Sequence, residues 1–462
     1  MRAGVAAGHP ATAEAGVQIL AEGGTAADAA VAACLASCVA ETVMTGLLGG
    51  GRAIYLDGDS GTIANLDCFV AVPGLGAPPR HRELLELEVP FGAELVHYAV
   101  GPASCGVPGV PAGLDALWVR FGRLPWPRLC EPALALASTG VVMPSAHAAC
   151  LEMLAPVMTM NEGAAIYSPG GTVLAAGDRL HQPGLVRALE LVAAEGPQSV
   201  YSGTLAESLL QLVAERGGLV TAADLGAYEP HWVEPVGVAF AETRVLTRPG
   251  LAPIVEPLEQ LGALRGLRPA ERALALAQAL GGAGGTDGHT TNLVAVDNDD
   301  SVCVLTTSLG LGSGDFLPGF DLHLNSMLGE TDLLRGALEP GTRMASMMAP
   351  SIAIDGNGRP VLAAGAAGGT RLRSALVQVF AGVLDEGVGV EEAIATPRLH
   401  PVLDTVHLEP GFEPEVIDVL EGAGLSVRVW PAQHHYFGGV SAITPSAGSG
   451  DPRRSGAARL LP

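Results

Sequence analysis

Residues 281–297 read Gly281-Gly-Ala-Gly-Gly-Thr-Asp-Gly-His289, then Thr290-Thr-Asn-Leu-Val-Ala-Val-Asp297. A stretch almost without packing side chains turns, at one peptide bond, into an alternating apolar run with a β-branched start. The pattern predicts a flexible leader feeding a strand that begins at Thr290. A second such run, Val302 to Ser308, follows across the turn signal Asp297-Asn-Asp-Asp-Ser301. Equal hairpin arms about Asp299 place Ser308 opposite Thr290, and cross-strand neighbours lie about 4.5–5.5 Å apart at Cβ. A chain cut between His289 and Thr290 would carry a hydroxyl nucleophile and a free α-amine on one residue. With an ordinary pKa of about 7.7–8.0, that amine is suited to act as a base near neutrality.

Further along, Ser351-Ile-Ala-Ile and Pro360-Val-Leu-Ala-Ala pair about Asp355-Gly-Asn-Gly-Arg. The second strand ends at Gly365-Ala-Ala-Gly-Gly369, and a helix is expected from Thr370 to Leu384. Strand, glycine pair and helix start form an anion site, because the first helical N–H groups have no partner within the helix. A threonine pair at a strand start is commonly structural, and a glycine pair before a helix is commonly a turn. Together they supply a nucleophile and an oxyanion hole, which suit acyl transfer.

Upstream, helices are expected at Thr12–Ala21 and from Thr25 to Val39, the second opened by a Thr25/Asp28 capping box. Ala53-Ile-Tyr-Leu reads as a short strand. Residues 101–247 read as helices alternating with loops, and residues 256–280 as one further helical stretch. The fold class implied is α+β.

The 48 acidic against 25 basic side chains give a net charge of −23, which repels nucleic acid and anionic membranes. Every basic residue is arginine. Without lysine, a pyridoxal Schiff base, a Walker-type phosphate loop and a serine/lysine dyad are excluded. The seven cysteines are scattered, with no Cys-x-x-Cys, and read as buried free thiols of a reducing compartment. The histidines lack metal-ligand spacing, so neither a metal nor a cofactor is expected. No apolar run reaches the length of a membrane span or a secretory signal, and a cytoplasmic location is expected.

The motifs Ala7-Gly-His-Pro10, Gly23-Gly-Thr-Ala-Ala-Asp28, Gly46-Leu-Leu-Gly-Gly-Gly51, Thr290-Thr-Asn292, Gly368-Gly-Thr-Arg371, Pro397-Arg-Leu-His400 and Gly450-Asp-Pro-Arg453 occur in this order. In these the chain resembles the gamma-glutamyltransferase family of N-terminal-nucleophile hydrolases over nearly its whole length. The resemblance implies a four-layer αββα sandwich, one domain made as a precursor that cleaves itself. The bond would be His289–Thr290, leaving associated fragments 1–289 and 290–462, with higher oligomers open. Thr290 would be the nucleophile, Ser308 its hydrogen-bonding partner, and Gly368 and Gly369 the oxyanion hole. The substrate would be a gamma-glutamyl or other acyl amide, with water or an amine as acceptor.

Departures from the family pattern concern the substrate. Phe69 stands where the family's carboxylate-binding arginine is expected, with Arg52, Arg343 and Arg371 as candidate replacements. One serine of a family pair is Ala345, leaving Ser346. A family asparagine becomes Gly310, and Glu330 aligns with the acidic residue that holds the glutamyl amine. These changes keep open an acylase acting on a glutaryl, β-lactam-like or secondary-metabolite amide. Because Asn292 replaces a family histidine, an unprocessed, non-catalytic member is also open.

Overall fold

The computed structural model describes residues 1–78, 83–91, 94–249, 251, 254–281, 290–330, 333–334 and 338–462. The leader 282–289, including His289 of the expected cleavage site, lies outside the described residues.

The hairpin read from the sequence is the centre of the molecule. Strands Thr291–Val296 and Val302–Ser308 pair antiparallel, with Thr291 opposite Thr307 and Val296 opposite Val302. Alternation along both strands sends Leu293, Ala295, Cys303 and Leu305 into one apolar core, and Val294, Val296, Val302 and Val304 into another. A strand pair buried on both faces must be sandwiched, and the two cores show by what.

Counting only strands of the two large sheets, these are β1 Gly4–Ala7, β2 Gly50–Leu56, β3 Ile63–Cys68, β4 His231–Val233, β5 Val236–Phe240, β6 Thr243–Thr247, β7 Thr291–Val296, β8 Val302–Ser308, β9 Ser351–Ile354, β10 Pro360–Ala367, β11 Gly439–Ile443, β12 Gly448–Gly450 and β13 Ala457–Leu460. The first sheet runs β13-β1-β7-β8-β2-β3-β4 and the second β12-β11-β10-β9-β6-β5. Their facing sides share a core that includes Ile54, Val294, Val304, Ile352, Ala363 and Ile443.

Helices α1 Pro10–Ala21, α2 Ala26–Ala40, α3 Trp126–Thr139 and α4 Pro183–Glu195 cover the outer face of the first sheet. Helices α5 Pro269–Leu280, α6 Arg371–Phe380 and α7 Pro414–Gly422 cover that of the second. The layers are αββα. Every residue of α2 is buried, which its alanines allow: a Cβ on Gly16 of α1 would lie 3.2 Å from Ala33 Cβ. The Thr25/Asp28 capping box is present, and Asp28 also accepts the Arg123 and Leu124 N–H groups.

Two expectations are corrected. Residues 231–247 are strands β4 to β6, which complete an edge of each sheet. They are short and interrupted by Gly237 and Arg244, so their alternation is weak, and tertiary pairing decides their state. The stretch 256–280 is two helices, Val255–Gln260 and α5, separated by a turn in which Gly266 adopts φ +83° and Pro269 restarts the helix. A hairpin formed by Leu85–Phe91 and Glu94–Val100 was not foreseen. No helix among the described residues is long and apolar enough to cross a membrane.

Candidate active site

Thr290 immediately precedes β7 and is buried. Continuing the Thr291–Thr307 register by one residue sets it opposite Ser308, as equal hairpin arms require. Both line one cavity of about 30 Å³, together with Phe69, Glu330, Ser346 and Gly369. Ser308 from across the hairpin and four residues from distant parts of the chain therefore share one cavity with Thr290. The remaining wall is apolar and rich in methionine: Met327, Met347, Met348, Leu333 and Leu372.

Two of the expected site residues stand just behind this lining. Gly310 donates its N–H to Ser308 Oγ at 2.8 Å and so orients that hydroxyl. Its φ of +71° favours glycine, and a Cβ there would fall 2.4 Å from Glu330 Oε1. The missing asparagine side chain is thus replaced by space that Glu330 occupies. Gly368 and Gly369 have φ of +128° and +56° and turn the end of β10 into α6. A Cβ on Gly368 would lie 2.9 Å from Gly438 Cα, so neither conformation nor space tolerates a side chain there.

The candidate replacement cations are engaged elsewhere. Arg52 pairs with Asp67 at 2.5 Å, and Arg343 Nε lies 3.5 Å from the same carboxylate. Arg343 also donates to the Phe69 carbonyl and lies 4.4 Å from the centre of the Tyr228 ring. Arg371 Nε donates to the Tyr436 carbonyl, with its guanidinium over that ring. Arg343 and Tyr228, whose hydroxyl donates to the Phe69 carbonyl at 2.7 Å, fix the backbone that carries Phe69.

Sequence reasoning missed two residues. Arg248 is buried and donates to the carbonyls of Ser346 and Met348, holding the segment that forms one cavity wall. Burial, with Arg52 nearby, pushes its pKa down to about 9. Glu41 is buried at the end of α2 and accepts hydrogen bonds from Thr12 Oγ1 at 2.7 Å and from Thr291 Oγ1. In the sequence Glu41 merely bounds an apolar stretch, and Arg248 falls between the segments 101–247 and 256–280, where no element was read.

Against this geometry, the family model for gamma-glutamyltranspeptidase matches residues 12–267 and 269–461. The chain belongs to the gamma-glutamyltranspeptidase family. Among gamma-glutamyltranspeptidase relatives, acylase ACY 1 proenzyme from Pseudomonas sp. (strain V22) is 29% identical, over 95% of this chain and 89% of its own length. Glutathione hydrolase proenzyme from Escherichia coli (strain K12) is 26% identical, over 92% of this chain and 86% of its own. The solved structure of cephalosporin acylase from Bacillus halodurans superposes with a TM-score of 0.84 at 21% identity, covering 100% of this chain and 97% of that one, a likeness of fold.

Two gamma-glutamyltranspeptidase motifs far from Thr290 in sequence prove to be one buried ionic network. Arg398 of the Pro397–His400 motif pairs with Asp451 at 2.6 Å, and Arg453 bridges Asp451 and Glu409. Asp451 also accepts the Val440 N–H at 2.9 Å, tying the network to β11. Leaving any one of these charges unpaired would be costly, which makes the network a fixed anchor.

Proposed function

We propose that the protein is a self-processing amide hydrolase or acyltransferase that uses Thr290 as its nucleophile and prefers acyl groups without a carboxylate at their far end. In processing, Thr290 Oγ attacks the carbonyl carbon of residue 289. The C–N bond breaks as nitrogen takes the hydroxyl proton, which frees the α-amine, and water then hydrolyses the resulting ester to release the carboxylate of residue 289 and the Thr290 hydroxyl. In turnover the same oxygen attacks the substrate amide. The α-amine takes its proton and passes it to the leaving amine, and water or a second amine then resolves the acyl-enzyme. The Gly368 and Gly369 N–H groups receive the negative charge on the tetrahedral oxygen.

The observation that carries the substrate preference is Phe69 on the wall of the Thr290 cavity, while Arg52 and Arg343 are bound to Asp67 and to backbone carbonyls. A gamma-glutamyl α-carboxylate would face a phenyl ring and the Glu330 carboxyl, with no cation lining the cavity among the described residues. A glutaryl group would meet the same surroundings. Met327, Met347 and Met348 suit an apolar acyl chain, because their unbranched side chains can repack around one. The likeness to a Pseudomonas acylase supports an acylase over a glutathione hydrolase.

Denaturing electrophoresis tests the nucleophile. The wild-type chain of 46.8 kDa should run as two fragments, and Thr290→Ala as one band with turnover reduced at least about 10³-fold. A panel of anilides sharing one leaving group tests the acyl preference. Neutral aliphatic or aromatic acyl anilides should exceed gamma-glutamyl and glutaryl anilides in kcat/KM, and the reverse order would refute the proposed pocket.

A further inference from the structure

A second void of about 10 Å³, room for one water molecule, shares only Thr290 with the lining of the acyl cavity. Thr290, Thr291, Glu41, Asn292, Ser441 and Arg454 all line it. Glu41 is the acidic residue bound to the nucleophile's own strand. One of its oxygens accepts from Thr12 and the other from Thr291, the residue bonded directly to Thr290. Gly8 makes this approach possible: a Cβ there would stand 2.4 Å from Glu41 Oε2 and 2.8 Å from Thr291 Oγ1. Asn292, where the family pattern has histidine, brings an amide whose Nδ2 is buried without a hydrogen-bond partner.

We propose that Glu41 is a positioning residue for the Thr290 α-amine: it fixes the Thr290–Thr291 peptide through the Thr291 hydroxyl and places a carboxylate on the void that Thr290 shares. The inference deepens the proposed function and rests on Thr290 being the amino-terminal nucleophile.

The charges around Glu41 leave it this role. Burial pushes its carboxyl up to about 7, against the opposing pull of the Thr12 and Thr291 hydroxyls and of Arg454. It therefore changes charge in the range where an α-amine does. Arg454 is the cation bearing on it, and that guanidinium also reaches Met44 Sδ at 3.2 Å and the His435 carbonyl at 3.4 Å. Burial lowers His147 to about 3 and its neighbour His9 to about 4, so both are uncharged at neutrality. The Cys150 thiol is pushed up to about 11 and is neutral too. Asp451 lines the void but is paired with Arg398 and Arg453.

An anion here favours the ammonium form of the Thr290 amine, so the amine becomes a free base only at higher pH. Removing the charge should therefore move the acid limb of the kcat/KM profile to lower pH. The test compares Glu41→Gln, which keeps the shape and loses the charge, with Thr12→Val, which removes one hydrogen bond from the carboxylate and so reduces its ionisation.

Glu41→Gln is expected to shift the limb down by about 0.5–1 pH unit, about three- to tenfold in relative kcat/KM on the part of the limb above about pH 7, where the wild-type carboxylate is charged. Thr12→Val should shift it the same way by less. A uniform loss at every pH, an unmoved limb or an upward shift would overturn the proposal and leave Glu41 a purely structural residue. Electrophoresis separates the two levels. A wild-type chain that stays uncut removes the nucleophile reading itself, and the inference with it. A cut wild type with both variants uncut would place Glu41 in the cleavage step, and so overturn its role towards the amine. Should Glu41→Gln fail to fold, Thr12→Val decides by the same criterion.

Discussion

Phe69 is the residue whose identity says most about the substrate, and it is buried in a wall of thioether and aliphatic side chains. Phe69→Ala should cost about 3 kcal/mol of stability, the lower end for a large core truncation, because part of the ring already faces a cavity. The enlarged chamber should lower KM for bulkier acyl groups, and denaturant unfolding and steady-state kinetics check the two effects independently. At this scale Thr290 and Ser308 were legible because the side-chain period of a strand is two and the turn at Asp299 sets the register. Phe69, Glu330 and Ser346 were legible through resemblance alone. Glu41 and Arg248 were not legible, since a carboxylate after an alanine helix and an arginine after a strand acquire meaning only from segments far away in the chain.

At the scale of elements, the turn from β10 into α6 carries the proposed oxyanion site. Gly368→Ala would need a side chain at φ +128° and within 2.9 Å of Gly438 Cα, so the peptide must rotate. The expected result is a fall in kcat of about 10²–10³, with KM changed little, because an oxyanion donor acts mainly in the transition state. Stopped turnover with an unchanged acyl-enzyme burst would contradict that placement. The strand–glycine–helix order here was readable because each part has a strong local signal. Strands β4 to β6 were not, because three- to five-residue segments draw their stability from neighbours already in the sheet.

For the whole molecule, the buried histidines set the response to acid. Burial lowers His9 to about 4 and His147 and His323 to about 3, and places His400 well below its ordinary value. Between their unfolded pKa of about 6.5 and these folded values, the unfolded chain binds more protons, so stability falls as pH falls through that window. His9, His147 and His323 each remove on the order of 1–2 kcal/mol by pH 5, and His400 acts in the same direction. Glu41, raised to about 7, has the opposite sign: its contribution is present below its unfolded value and lost as pH rises through the folded one. The four imidazoles outweigh Glu41 and the smaller upward shifts that burial gives Asp115, Asp297 and Asp315, so the melting temperature should drop between pH 7 and pH 5. Calorimetry across that range checks the sign, and a melting temperature rising towards pH 5 would contradict it.

The first sheet places β1 between β7 and β13, and β2 beside β8, while in the second β6 pairs with β9. In these four junctions the chain before position 290 is laced strand by strand into the chain after it. Severance at Thr290 would make folding a first-order event and refolding a second-order one. A molecule shaken apart after maturation would have to find a partner by diffusion before β1 recovers either neighbour, and dilution would lengthen that search without limit. Its working lifetime would then be governed by how slowly it opens rather than by how readily it closes.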